Sequence, residues 1–147
     1  MKKSDTIKPK KSKTKTWTEK YNTRTEIEVK HLDKGFADIP ENSEMLIATP
    51  KVFEEYIKKI KKGKSKTLKE VRQDLAKKYS ADYTCPVTTG IFLRIVAEAN
   101  FEKITQGEDI DKVAPFWRVI EPKSSLAKKL SFGEDFLVKM RKEEGIE

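Results

Sequence analysis

Apolar positions fall into a regular helical spacing only after residue 45. Met45-Leu46-Ile47-Ala48 is a short apolar run ending at Thr49-Pro50. Thr49 suits an N-cap and Pro50 a first helical residue, whose missing N–H would have had no partner in any case. Val52, Phe53, Tyr56, Ile57 and Ile60 share one face and predict a helix over 50–61. Gly63 ends it inside Lys61-Lys62-Gly63-Lys64-Ser65-Lys66. Thr67-Leu68-Lys69-Glu70 has the form of a capping box, in which Thr67 and Glu70 satisfy each other's free backbone donors. Leu68, Val71, Leu75, Ala76 and Tyr79 make the buried stripe of a second helix over 68–79. After a turn over 80–85, Pro86 opens a third helix over 86–102. Its inner side holds Ala99 with either Val87, Ile91 and Ile95 or Phe92 and Val96.

Beyond it, 106–111 reads as an acidic loop. The β-branched and aromatic stretch 113–120 predicts short extended structure, interrupted by Pro122 and the Ser124-Ser125 pair. Phe136, Leu137 and Met140 follow Gly133 at helical spacing, with Arg141 and Lys142 before Gly145, a last helix over 133–143. Upstream, Trp17, Tyr21, Ile27, Val29 and Leu32 mark where packing can begin, and Glu26-Ile27-Glu28-Val29-Lys30 alternates as a short edge strand would. The order helix, basic turn, capped helix, turn, helix, extended wing, helix is that of a mainly α, winged helix-turn-helix domain. No internal repeat is present.

Charge sharpens this division. The chain has 147 residues, a formal charge of +8, a pI near 9.4 and a mean hydropathy of −0.72. That size suits one domain, and no apolar run approaches the roughly 20 residues a bilayer span needs. Residues 1–20 carry eight lysines against Asp5 and Glu19, a net of +6, which leaves +2 for the other 127. Met1 and Ile7 are the only sizeable apolar side chains before residue 17, too little to offset an ordering entropy of roughly 1–2 kcal/mol per residue. The expected division is therefore a disordered basic arm over 1–16, an irregular extension over 17–44 and the winged domain over 45–147. Such an arm is either an electrostatic tether for nucleic acid or a solubilising tail.

Chemistry-bearing residues are few. A single cysteine, Cys85, excludes an intramolecular disulfide and a Cys-rich zinc site, and a single histidine, His31, excludes His-His metal pairs. Asp109 and Asp111 lack the glycine-centred loop of a calcium site and read as a solvated turn. No catalytic residue, cofactor or metal is expected. With no hydrophobic leader behind the first lysines, the expected setting is reducing and cytoplasmic.

Several motifs carry a resemblance. They are the Phe53/Ile57 helix, the Gly63 turn, the Thr67-Leu68-Lys69-Glu70 start, Val87, Pro115-Phe116-Trp117-Arg118-Val119-Ile120, and Gly133 with Leu137. Through them the stretch from about Thr49 to Gly145 resembles the DNA-binding domain of O6-alkylguanine-DNA alkyltransferases and their non-catalytic alkyltransferase-like relatives. It also resembles, more specifically, a bacterial subgroup of that superfamily, through Trp17, Leu46 to Pro50, Cys85 to Phe92 and Pro115 to Arg118.

The family's acceptor motif is Pro-Cys-His-Arg, in which the histidine serves the cysteine thiolate as base. Here Phe116 and Trp117 stand in their places. Leu68 replaces the tyrosine that rotates the target nucleotide, and Cys85 falls at or next to the arginine that fills the vacated stack. The resemblance therefore implies a monomeric DNA binder without turnover, with a modified guanine as its natural target and no membrane partner. Thr67, Leu68, Cys85, Thr88, Thr89 and Arg94 would meet DNA, and Lys62, Lys64 and Lys66 would meet phosphates. Pro115, Phe116 and Trp117 would hold an extruded base, with Arg118 supporting the wall or pairing with a carboxylate. The bland alternatives are a core role for Phe116-Trp117, capping for Thr88 and Thr89, a solvated lysine face, and a small packed residue at Cys85. Two other functions stay open: a protein adaptor using Phe116-Trp117 and the 106–111 loop, and a methyltransferase with Cys85 as displaced nucleophile.

Overall fold

The computed structural model describes residues 16–146, a mainly helical chain with a small three-stranded sheet. All but Thr16 of the expected basic arm lies outside the described residues. Thr16 caps a short helix α1 (Trp17–Tyr21) through a capping box with Glu19. Strand β1 (Glu28–Leu32) follows at the sheet edge, two residues on from the alternating stretch 26–30, so the segment expected to be irregular carries that edge strand and a helix besides. Its partner β2 (Ser43–Ile47) accounts for this. β1 runs antiparallel to it, from Glu28 opposite Ile47 to Leu32 opposite Ser43. β2 is the middle strand, and both of its faces are covered. Met45 packs with Leu32, Ile39 and Cys85, while Leu46 enters the main core.

Thr49 accepts a hydrogen bond from the Val52 N–H at 3.2 Å and starts α2 (Pro50–Lys58). The capping box of Thr67 and Glu70 forms as the sequence predicts and starts α3 (Leu68–Lys78). The end of α3 turns through Ser80 at φ 57. The Ala81 N–H then donates to the Ala76 carbonyl at 2.8 Å and the Ser80 N–H to Lys77, the pair of bonds that closes a Schellman turn. This directs the chain into β3 (Tyr83–Thr84), parallel to β2. Cys85 then caps α4 (Pro86–Thr105), twenty residues long.

α4 is the central helix, buried on several sides by Phe92, Leu93, Ile95, Val96 and Ala99. Of the two inner stripes the sequence allows, the one with Phe92 and Val96 faces the core, joined by Ile95 of the other. Val87 and Ile91 are 52% and 50% exposed, on the side of α4 that faces an open groove, while Thr89 between them is buried.

The expected wing is not extended. Residues 113–120 follow one 3-10 turn (Ile110–Lys112) and contain another (Phe116–Arg118). Val113, Ala114, Pro115, Phe116, Trp117, Val119 and Ile120 are all buried, so the segment threads the interior instead of lying at a sheet edge. Side chains and turns satisfy its backbone in place of a strand partner. Asn100 Oδ1 accepts from the Ala114 N–H at 3.0 Å, and Arg141 Nη1 donates to the Trp117 carbonyl at 2.8 Å. Ser124 caps a short helix α5 (Ser125–Lys129) where the sequence predicts an interruption. The last helix α6 (Asp135–Glu144) ends at Gly145, φ 75. Among the described residues no helix is long and apolar enough to cross a membrane.

Candidate nucleic-acid interface

The start of α3 and the first turns of α4 form two walls of an open groove of about 1400 Å³, completed by α1 and α5. Exposed Tyr83, Val87 and Ile91 give it an apolar strip. Lys20, Lys69, Arg72, Arg94 and Lys129 line it against Asp38 and Asp82, so cations outnumber anions.

Some of these cations are already engaged. Arg72 donates to both Asp38 oxygens at 2.9 Å and to the Thr84 carbonyl at 3.0 Å. Those bonds hold the Asp38 carboxyl below its usual range, but Asp38 is too exposed for the pair to contribute much stability. The Arg94 guanidinium carbon lies 5.1 Å from the Trp17 ring centroid, and its Nε is 3.8 Å from Glu98. Lys69 and Lys129 have no ion pair among the described residues and are both exposed.

The expected DNA contacts divide accordingly. Leu68 is half-buried on the groove wall, and Thr67 is exposed with its hydroxyl spent on the cap. Thr89 is buried and donates to the Cys85 carbonyl at 2.6 Å, which removes it from the surface. Thr88 is partly buried, its hydroxyl without a hydrogen-bond partner among the described residues. Cys85 is 3% exposed and its Sγ accepts from the Thr88 N–H at 3.5 Å. It packs with Leu32, Ile39 and Met45, so it is neither a stacking wedge nor an accessible nucleophile. The sequence alone does not single out Tyr83, Val87, Ile91, Lys69 or Lys129 as contacts. The signal for two of them is present, since choosing the Phe92/Val96 stripe leaves Val87 and Ile91 outside.

The expected base pocket is filled by its own side chains. Phe116 is fully buried, its ring 5.7 Å from both Phe132 and Phe136 and 5.3 Å from Trp117. Trp117 is 3% exposed and donates from Nε1 to Glu144 at 2.8 Å. Arg118 Nε and Nη2 donate to the two Glu144 oxygens at 2.9 and 2.8 Å, and Nη1 donates to the Ile60 carbonyl at 2.6 Å. The Gly63 N–H completes the set at 3.1 Å. The Glu144 side chain is only 3% exposed. Burial alone would raise its pKa, but the donors Arg118, Trp117 and Gly63 outweigh that and hold it below the ordinary value. A smaller cleft of about 590 Å³ lies beside this clasp, lined by Pro115, Trp117 and Arg118 with Lys58, Lys62, Lys112, Asp111 and Glu143. It has mixed charge and no accessible stacked aromatic pair.

Lys62 and Lys64 are exposed, whereas Lys66 pairs with Asp74 at 3.4 Å. His31 bonds through Nδ1 to Glu44, which raises its pKa, and its side chain is about half exposed. Among the described residues no three or more His, Cys, Asp or Glu side chains gather to hold a metal ion. No protein-family model, curated protein or solved structure matches the chain.

Proposed function

We propose that the chain is a non-catalytic DNA-binding protein of the alkyltransferase-like kind, using α3 and α4 as the two helices of a helix-turn-helix without the expected wing over 113–120. The observation that carries this reading is the exposed apolar strip of Val87 and Ile91 on the first turns of α4, rimmed by Lys69 and Lys129. Lysines at that rim neutralise phosphates and release condensed counterions, while the apolar strip meets sugars or thymine methyls. Alkyl transfer would need an accessible thiolate within about 3–3.5 Å of the alkyl carbon and a base to generate it. Buried Cys85 and the packed Phe116-Trp117 pair offer neither. Docking in this reading is thus on a groove, with no extruded base held at Phe116.

The test is fluorescence anisotropy with plain duplex, O6-methylguanine duplex and single strand at two salt concentrations. The expected result is duplex binding that weakens steeply with salt and is equal for plain and modified DNA. Absence of salt-dependent binding to every strand would overturn the reading. The exposed strip of Tyr83, Val87 and Ile91 also favours a second reading, a protein adaptor, which salt-insensitive capture of a partner on that strip would identify.

A further inference from the structure

We infer that β1 is the contact through which two copies of this chain pair, edge to edge and antiparallel, about a two-fold axis at Val29. Such pairing stands apart from the DNA-binding reading above and replaces the monomer that the resemblance implies.

The sheet order is β1-β2-β3, so β1 is an outer strand, and the opposite edge, β3, is only two residues long. The side of β1 on which its backbone is free follows from β2. Glu44 turns its backbone toward β3: its N–H donates to Asp82 Oδ2 at 2.8 Å, and its carbonyl accepts from the Asp82 N–H at 2.9 Å. The Leu46 carbonyl likewise accepts from the Cys85 N–H at 2.9 Å. Backbone groups alternate sides along a strand, so Ser43, Met45 and Ile47 turn theirs toward Leu32, Lys30 and Glu28, their partners on β1. Val29 and His31 therefore point their N–H and C=O groups outward, where they have no backbone partner among the described residues. An edge of this kind is a template for another strand. No proline falls between Trp17 and Ile39 to blunt it.

The side chains select the partner. Val29 lies opposite Leu46, a residue of the main core, and so shares its face of the sheet. Val29 is nonetheless 42% exposed, and Ile27, two residues before it, 43%. A strand added to this edge extends the core outward beside both. Charge then sets the register. An antiparallel pair centred on Glu28 opposes Glu28 to its own copy, and one centred on Lys30 opposes Lys30 to its own. Like charges directly opposite one another destabilise a sheet. Centred on Val29, the same two strands set Glu28 of each copy against Lys30 of the other, and Ile27 against His31. The two Val29 residues then face each other, with their outward N–H and C=O groups exchanging hydrogen bonds. Arg24 donates to Glu28 Oε1 at 3.1 Å, whereas Lys30 has no ion pair among the described residues until the second copy supplies one.

The test is sedimentation equilibrium of the full-length chain over about a hundredfold range of concentration, with thermal melts beside it. Wild type should pass from monomer to dimer by mass action and stop there, because a two-fold pairing closes on itself. Glu28→Lys and Lys30→Glu should each weaken dimerisation about tenfold, since both cross-strand ion pairs become repulsions. An equimolar mixture of the two variants restores opposite charges across the pair and should dimerise as wild type does. The double variant Glu28→Lys with Lys30→Glu should also dimerise alone. A disrupted edge would give neither rescue. A wild type that stays monomeric across the range overturns the inference. So does a dimer that both reversals leave intact, or one that they weaken without rescue in the mixture.

Discussion

The clasp around Trp117 and the groove along α4 use similar residue types to opposite ends. At the clasp, Arg118, Trp117 and Gly63 converge on one carboxylate, and four aromatic rings interlock behind it. Donors have acceptors, and apolar area is out of water. Along the groove, Val87 and Ile91 remain half exposed, and Lys69 and Lys129 have no ion pair among the described residues. A region that is satisfied contributes stability, and one that is left unsatisfied is available for binding. The motif most suggestive of chemistry, Pro115 to Arg118, belongs to the first kind.

Truncation is the strongest way to break this contrast. Trp117→Ala should cost roughly 3–5 kcal/mol, seen as a large drop in melting temperature, with duplex affinity of the remaining folded protein unchanged. A loss of affinity without a loss of stability would instead make Trp117 part of a binding pocket. Glu144→Gln keeps the shape and removes the charge that Arg118 faces, and should cost about 1.5–3 kcal/mol in denaturant titration at pH 7. Because the folded Glu144 pKa is depressed, its contribution is present above the ordinary carboxylate range and is lost as pH falls through the folded value. Wild type should therefore lose stability on acidification more steeply than Glu144→Gln.

The cap at α3 is smaller. Thr67→Ala should lower stability by about 1 kcal/mol, through the Glu70 N–H left without its acceptor. The groove should move stability least. Lys69→Ala and Lys129→Ala should each stay within about 0.5 kcal/mol in thermal melts. Each should reduce the salt slope of duplex binding by about 0.9. Equal slopes in wild type and the double variant would erase the distinction between the two regions.

Signals that depend on neighbours in sequence are legible. The starts of α2 and α3 follow from Thr49-Pro50 and from Thr67 with Glu70, because a cap is decided within four residues. The face of α4 is legible only as two alternatives, since a helix buried on several sides has no single apolar stripe to read. The stretch 113–120 reads as extended, wrongly, because β-branched and aromatic residues also fill an interior where no strand pairs with them. Its backbone is satisfied by Asn100 and Arg141, distant residues that no local pattern announces. The short α5 is hidden in Ser124-Ser125, a pair that serves equally well as a break and as a cap. For the site, the sequence supplies Phe116, Trp117 and Arg118, with a core role for the rings and a carboxylate partner for Arg118 among its alternatives, but it does not point to Glu144 as that partner. Glu144 meets Gly63 across 81 positions, and that distance separates a pocket from a core.

The pairing of β3 with β2 has a kinetic consequence. The two strands share only the pairs Met45–Tyr83 and Leu46–Thr84, with α2 and α3 lying between them in the chain. Closing so long a loop for so few contacts delays that step until both helices have formed. β3 leads directly into Cys85 and the start of α4, whose Cys85 N–H is held by the Leu46 carbonyl at 2.9 Å. The first turns of α4 should therefore order late and reopen before the turns around Phe92 to Ala97. In amide hydrogen exchange, the half of the helix that carries the groove should exchange through local opening, and the half that carries the core only through global unfolding.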